Sequence, residues 1–118
     1  MAVVAPGKYR ILCVDDDKFF LRVTADALRY AGYSVDTATT CLAARERMAD
    51  HTYELVLVDL VLPDCHGFSL IETIRGKYPA YDILVITGRN DVRDAVRAIR
   101  LGVYDYLVKP VDHEGLIH

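Results

Sequence analysis

The chain has 118 residues, 53% of them apolar, which is enough for one hydrophobic core and too short for two domains. Its 14 basic and 17 acidic residues give a formal net charge of −3, which argues against a surface built to coat nucleic acid or an acidic membrane. A chain of this size buries roughly two-thirds of the surface it exposes when unfolded, so folding requires neither a disulfide nor a structural metal.

Residues 1–8 read as a short leader without the long apolar stretch of a signal peptide. Tyr9 to Val14 predicts a first strand, and Ile11-Leu12-Cys13-Val14 is apolar at every position, as in a strand buried on both faces. Phe20, Val23, Ala27 and Ala31 recur at helical spacing, with Gly32 where that helix would stop. Ser34 to Ala38 alternates and carries Asp36, which suits an edge strand. Thr40 is placed to cap a second helix with Ala44 and Met48 inward. Leu55 to Val58 is a second wholly apolar strand. Phe68, Ile71 and Ile74 line a third helix, with Pro79 just beyond its end. Ile83 to Ile86 forms the fourth strand. Asp91 is placed to cap a fourth helix, in which Val92, Ala95, Val96 and Ile99 make one stripe and Gly102 closes the element. Tyr106 to Val108 is the fifth strand, and Asp112 begins a fifth helix of which only the first turn is expected before His118.

Strands alternating with helices predict an α/β fold: an open, doubly wound, five-stranded parallel sheet with helices on both faces. Such sheets bind ligands at the carboxyl ends of their strands. The cysteines are Cys13, Cys41 and Cys65, an odd number with no pair at the spacing of a zinc knuckle or a redox motif. Cys13 lies in an apolar run and is expected as a buried free thiol. A reducing, cytoplasmic setting follows, and no apolar run is long enough for a membrane span.

The strand ends carry the chemistry. Asp15, Asp16 and Asp17 follow strand one, Asp59 follows strand three, Thr87 and Gly88 end strand four, and Lys109 with Pro110 ends strand five. Clustered carboxylates repel one another unless a cation is present, and oxygen-only ligands suit a hard ion such as Mg²⁺ or Mn²⁺. One of the three acids suffices as a helix cap, and Asp17 is the one expected to do only that. Asp59 ends an apolar strand, where a bare carboxylate is costly. Beside a metal and a lysine it becomes a nucleophile toward a phosphoryl group. Lys109 is placed to act as a point charge on phosphate oxygens, Thr87 to donate its hydroxyl, and Gly88 to leave the pocket open. Tyr106 is expected to fill the space beside Thr87 when the threonine moves.

These segments resemble the receiver domains of two-component response regulators. Ile11-Leu12-Cys13-Val14-Asp15-Asp16-Asp17 resembles their opening. Leu57-Val58-Asp59-Leu60-Val61-Leu62-Pro63-Asp64 with Gly67 is similar to their phosphorylation-site segment. Val85-Ile86-Thr87-Gly88 and Gly102 through Pro110 resemble their last two signatures. The resemblance runs from Tyr9 to Asp112, with residues 9–118 as the domain, and implies strand order 2-1-3-4-5. It implies that Asp59 accepts phosphate from a partner histidine kinase or phosphotransfer protein. Asp16, Asp59 and the backbone carbonyl of Val61 would bind Mg²⁺ directly, with Asp15 acting largely through water. Thr87 and Lys109 would contact the phosphoryl oxygens, Thr87 and Tyr106 would act as the switch, and Val61 and Arg89 would flank the phosphate pocket. An output domain or protein would respond, and a homodimer would form through the fourth helix, fifth strand and fifth helix. Asp91-Val92-Arg93-Asp94-Ala95-Val96 is most similar to receivers of nitrogen-regulation-type transcriptional activators. Two alternatives stand beside this reading. One is a receiver-like binding module that never gains phosphate. The other is a phosphatase of the haloacid-dehalogenase type, with Asp15 as nucleophile and Asp17 as acid.

Overall fold

A computed structural model describes residues 9–111. The elements are β1 Arg10–Val14, α1 Lys18–Tyr30, β2 Ser34–Ala38, α2 Cys41–Asp50, β3 Leu55–Val58, α3 Gly67–Lys77, β4 Asp82–Thr87, α4 Val92–Arg100 and β5 Asp105–Val108. The strands are all parallel and pair in the order β2-β1-β3-β4-β5. The leader over residues 1–8 and the helix expected to start at Asp112 lie outside the described residues.

Successive side chains on a strand point to opposite faces, so each wholly apolar run feeds two cores. Leu12, Val14, Val56, Val58, Ile83 and Val85 face one side, with Met48 of α2, Ile71 and Ile74 of α3 and Ala98 of α4. Ile11, Cys13, Leu57, Leu84 and Ile86 face the other, beneath Leu21, Ala25 and Leu28 of α1. The expected caps are present. Asp17 accepts from the Phe20 N–H, Thr40 from Ala43 and Asp91 from Arg93, satisfying donors that the first helical turn leaves open. α3 is capped by His66, whose Nδ1 accepts from the Phe68 N–H at 3.2 Å. Gly32 (φ 104°) and Gly102 (φ 74°) end α1 and α4 in the left-handed region that favours glycine.

Three expectations need correction. The buried face of α1 runs through Leu21, Thr24, Ala25 and Leu28, one row on from Phe20, Val23, Ala27 and Ala31. Polar Thr24 at the centre of that face hides it from a count of apolar residues. The stripe on α4 is not a core face: Val92, Val96 and Ile99 are 78%, 41% and 69% exposed. This helix meets the sheet through the small side chain of Ala98.

The third correction concerns the cysteines. Cys13 is buried and free, and burial pushes its thiol up to about 12. Cys41 and Cys65, however, form a disulfide across 24 positions of sequence, with Cα atoms 6.1 Å apart, against the reading of a reduced chain. The β3–α3 loop folds back on α2, where Asp64 accepts from the Cys41 N–H at 2.8 Å and from Leu42 at 3.0 Å. That contact brings Cys65 to Cys41, and no spacing motif encodes it. Reduction is expected to destabilise the fold by about 2–4 kcal/mol, since the bond constrains the unfolded chain. Urea unfolding with and without dithiothreitol measures this, and an unchanged midpoint would contradict it.

Candidate functional site

Register builds the site. Val14 pairs with Val58, Val58 with Val85, and Thr87 with Val108, so the strand-end residues emerge at one edge of the sheet. The backbone ladder continues one step past the strands. Asp15 N–H donates to the Ala38 carbonyl at 3.0 Å, Asp59 to Val14 at 3.0 Å and Lys109 to Thr87 at 2.8 Å. These bonds fix where the two carboxylates and the ammonium can reach. The Lys109–Pro110 peptide is cis.

Asp15 and Asp59 are only 2% and 6% exposed, and buried charges require partners. Lys109 Nζ supplies them, 2.6 Å from Asp15 Oδ2 and 3.1 Å from Asp59 Oδ2. The remaining oxygens are also satisfied: Asp15 Oδ1 accepts from the Asp17 N–H at 2.9 Å, and Asp59 Oδ1 from the Val61 N–H at 3.1 Å. Burial pushes the Asp15 carboxyl above its ordinary value; Lys109 and the Asp17 N–H pull it down without cancelling that rise. For Lys109, burial works against the charged form, but Asp15 and Asp59 more than reverse it, and the ammonium is held above its ordinary value.

Asp15, Asp16 and Asp59 each place a carboxylate oxygen within 4.8 Å of the other two. Three anionic oxygen donors against one ammonium leave residual negative charge, and Asp16 is exposed on the solvent side. That donor set fits a hard divalent cation that keeps some of its waters. The other cluster of candidate ligands, Cys41, Asp64 and Cys65, does not fit. Its sulfurs are bonded to each other and the Asp64 oxygens are held by backbone N–H groups.

The other expected residues lie around this centre. Asp17 is not in the acidic cluster and caps α1. Val61 is 52% exposed, and its N–H is held by Asp59 Oδ1. Thr87 is fully buried, and its Oγ1 accepts from the Arg89 N–H at 3.3 Å. The Tyr106 hydroxyl donates to the Arg89 carbonyl at 2.9 Å. Thr87 and Tyr106 are thus joined through the backbone of one residue, Arg89. A Cβ at Gly88 would meet nothing within 4 Å, so this side of the site is open. The Arg89 guanidinium pairs with Asp94 at 3.0 Å and Asp91 at 3.9 Å, at the start of α4.

Sequence reasoning missed two supports, Phe20 and Arg75, and gave Gly67 no role beyond its place in the motif. Phe20 lies under the lysine, with Lys109 Nζ 4.3 Å from the ring centroid. Gly67 packs against the backbone of Asp59 and Leu60. Arg75 donates to the carbonyls of Pro79, Tyr81, Leu101 and Gly102, tying the end of α3 to the end of α4. An aromatic and an arginine on helices carry no local signal for such roles.

Residues 11–118 match the family described as the response regulator receiver domain. The chain belongs to that family. The domain is 34% identical over 115 residues to the acid tolerance regulatory protein ActR of Rhizobium meliloti (strain 1021), covering 98% of this chain and 59% of the relative. It is 34% identical to the transcriptional regulatory protein ZraR of Escherichia coli (strain K12), covering 90% of this chain and 24% of that protein. The receiver thus spans from about a quarter to about three-fifths of these relatives. Among solved structures, a CheY-like receiver domain protein from Methanospirillum hungatei JF-1 superposes with a TM-score of 0.88 at 31% identity, covering 92% of this chain and 87% of that one. A response regulator from Burkholderia pseudomallei, solved with a phosphorylated aspartic acid, a calcium ion and citrate, gives 0.86 at 32% identity, covering 92% and 64%. The fold and family expected from the strand-end motifs are borne out.

Proposed function

We propose that this receiver takes a phosphoryl group on Asp59 from the phosphohistidine of a sensor histidine kinase or phosphotransfer protein, and passes the signal to an output domain or protein. The observation that carries the proposal is the setting of Asp59: buried, one oxygen fixed by the Val61 N–H, the other on Lys109, beside Asp15 and Asp16. The Burkholderia relative's phosphorylated aspartate and metal ion support it.

Asp15, Asp16, Asp59 and the Val61 carbonyl would hold Mg²⁺ or Mn²⁺, which when bound offsets charge on the phosphoryl oxygens. Asp59 attacks phosphorus in line. The phosphorus–nitrogen bond breaks, an oxygen–phosphorus bond forms, and the histidine leaves as imidazole. Lys109 shifts from the carboxylates to a phosphoryl oxygen. Thr87 exchanges the Arg89 N–H for the phosphate and donates its hydroxyl, while Gly88 and Arg89 border the open side. The β4–α4 loop then moves and loosens the Tyr106 hydrogen bond to Arg89. The exposed apolar row of α4, with β5, would face the output partner or a second copy. The domain assists its own phosphorylation without being a stand-alone enzyme, and it binds neither nucleic acid nor membrane directly. It would work in the cytoplasm.

Incubation with acetyl phosphate and Mg²⁺, followed by intact-mass measurement, is expected to add one phosphoryl group, and chelation of the metal to prevent it. Equal labelling with and without chelator would overturn the role given to the acidic cluster.

A further inference from the structure

We infer that Phe20 is a positioning residue for phosphotransfer, holding Lys109 by a cation–π contact; this rests on the receiver chemistry above. Lys109 Nζ has three partners: Asp15 Oδ2 at 2.6 Å, Asp59 Oδ2 at 3.1 Å and the Phe20 ring at 4.3 Å from its centroid. An ammonium at that distance is attracted to the negative face of the ring.

The two carboxylates cannot hold the lysine through the reaction. Carboxylates that share charge with a bound cation attract an ammonium less. Once Asp59 carries phosphorus it is no longer an anionic carboxylate. The ring is unchanged throughout, so it keeps Nζ beside Asp59 while the ammonium passes from the carboxylates to a phosphoryl oxygen. The position of Phe20 is itself fixed: Asp17 caps α1 through the Phe20 N–H at 3.1 Å. The ring also lines the small pocket shared by Asp15 and Asp59, where partial exclusion of water strengthens the contact. A half-buried phenylalanine in the first turn of a helix reads as ordinary packing. The lysine seated over it is what gives it a role in the chemistry.

The test compares wild type, Phe20→Leu and Phe20→Tyr. Leucine keeps the apolar bulk and removes the ring; tyrosine keeps the ring. Phe20→Leu is expected to label with acetyl phosphate about 3–10-fold more slowly at saturating donor, the size of one partly exposed cation–π contact. Phe20→Tyr is expected to label at the wild-type rate. Carbon–proton NMR of the lysine Cε groups, with Lys109→Arg to assign the signal, is expected to show Lys109 shifted upfield by the ring in wild type and Phe20→Tyr. That shift should be lost in Phe20→Leu while its urea midpoint stays near wild type. A purely packing role would leave the wild-type ring shift in place and the labelling rate of Phe20→Leu at the wild-type value. Wild-type labelling with an equal rate in Phe20→Leu, or an unshifted Lys109 in wild type, overturns this role alone. No label in wild type overturns the receiver chemistry and this role with it.

Discussion

Lys109→Met is expected to slow phosphorylation of Asp59 by about 10²–10³-fold, the usual cost of removing one preorganised charge from a transferring group. The lysine is the one side-chain cation in contact with either buried carboxylate among the described residues. Without it, Asp15 and Asp59 confront each other with no counter-charge, and the metal-free fold is expected to lose about 1–3 kcal/mol. Added Mg²⁺ is expected to restore more stability to the variant than to wild type. In wild type the ammonium competes with the ion for Asp15 and Asp59, and anything that binds the folded state alone stabilises it by mass action. Urea unfolding with and without Mg²⁺ reads the stability, and a time course of intact mass reads the rate. An unchanged labelling rate would remove Lys109 from the mechanism.

Gly67→Ala is expected to destabilise by about 3 kcal/mol or more, in the range of forced overpacking. A Cβ there would lie 2.5 Å from the Asp59 carbonyl oxygen and 2.6 Å from Leu60 Cα. Both are backbone atoms, so no side-chain rotation relieves the clash; the start of α3 and the end of β3 must part. The Gly67 N–H hydrogen bond to the Leu60 carbonyl, at 2.8 Å, would be disturbed with them. Because the displaced backbone carries Asp59, labelling should slow as well. Gly76→Ala is the control: it lies in the same helix with nothing within 4 Å of a new Cβ, and is expected to be neutral or to stabilise by roughly 0.5–1 kcal/mol. Equal urea midpoints for Gly67→Ala and wild type would contradict the close approach.

The legible part of this protein is what short-range patterning encodes. Strands buried on both faces announce themselves as unbroken apolar runs, and the residue after each run is at the binding edge of a parallel sheet. That is why Asp15, Asp59, Thr87 and Lys109 could be grouped before any coordinates, although Asp15 and Lys109 lie 94 positions apart. What stayed hidden depends on pairs whose two members look ordinary alone. Asp64 reads as a turn residue until its oxygens reach the first turn of α2, and only then do Cys41 and Cys65 meet. Thr24 is polar in sequence and central in the α1 interface. The α4 stripe misled for the opposite reason: its apolar residues point outward because contact with the sheet is made by alanine. Val96 and Ile99 lie exposed on the outer side of the helix.

The role of Asp59 as acceptor is tested most directly by intact mass after incubation with acetyl phosphate and Mg²⁺, with wild type and Asp59→Asn side by side. One phosphoryl mass gained by wild type and none by Asp59→Asn is the predicted result. An equal gain in both would place the nucleophile elsewhere in the acidic cluster, at Asp15, and contradict the account.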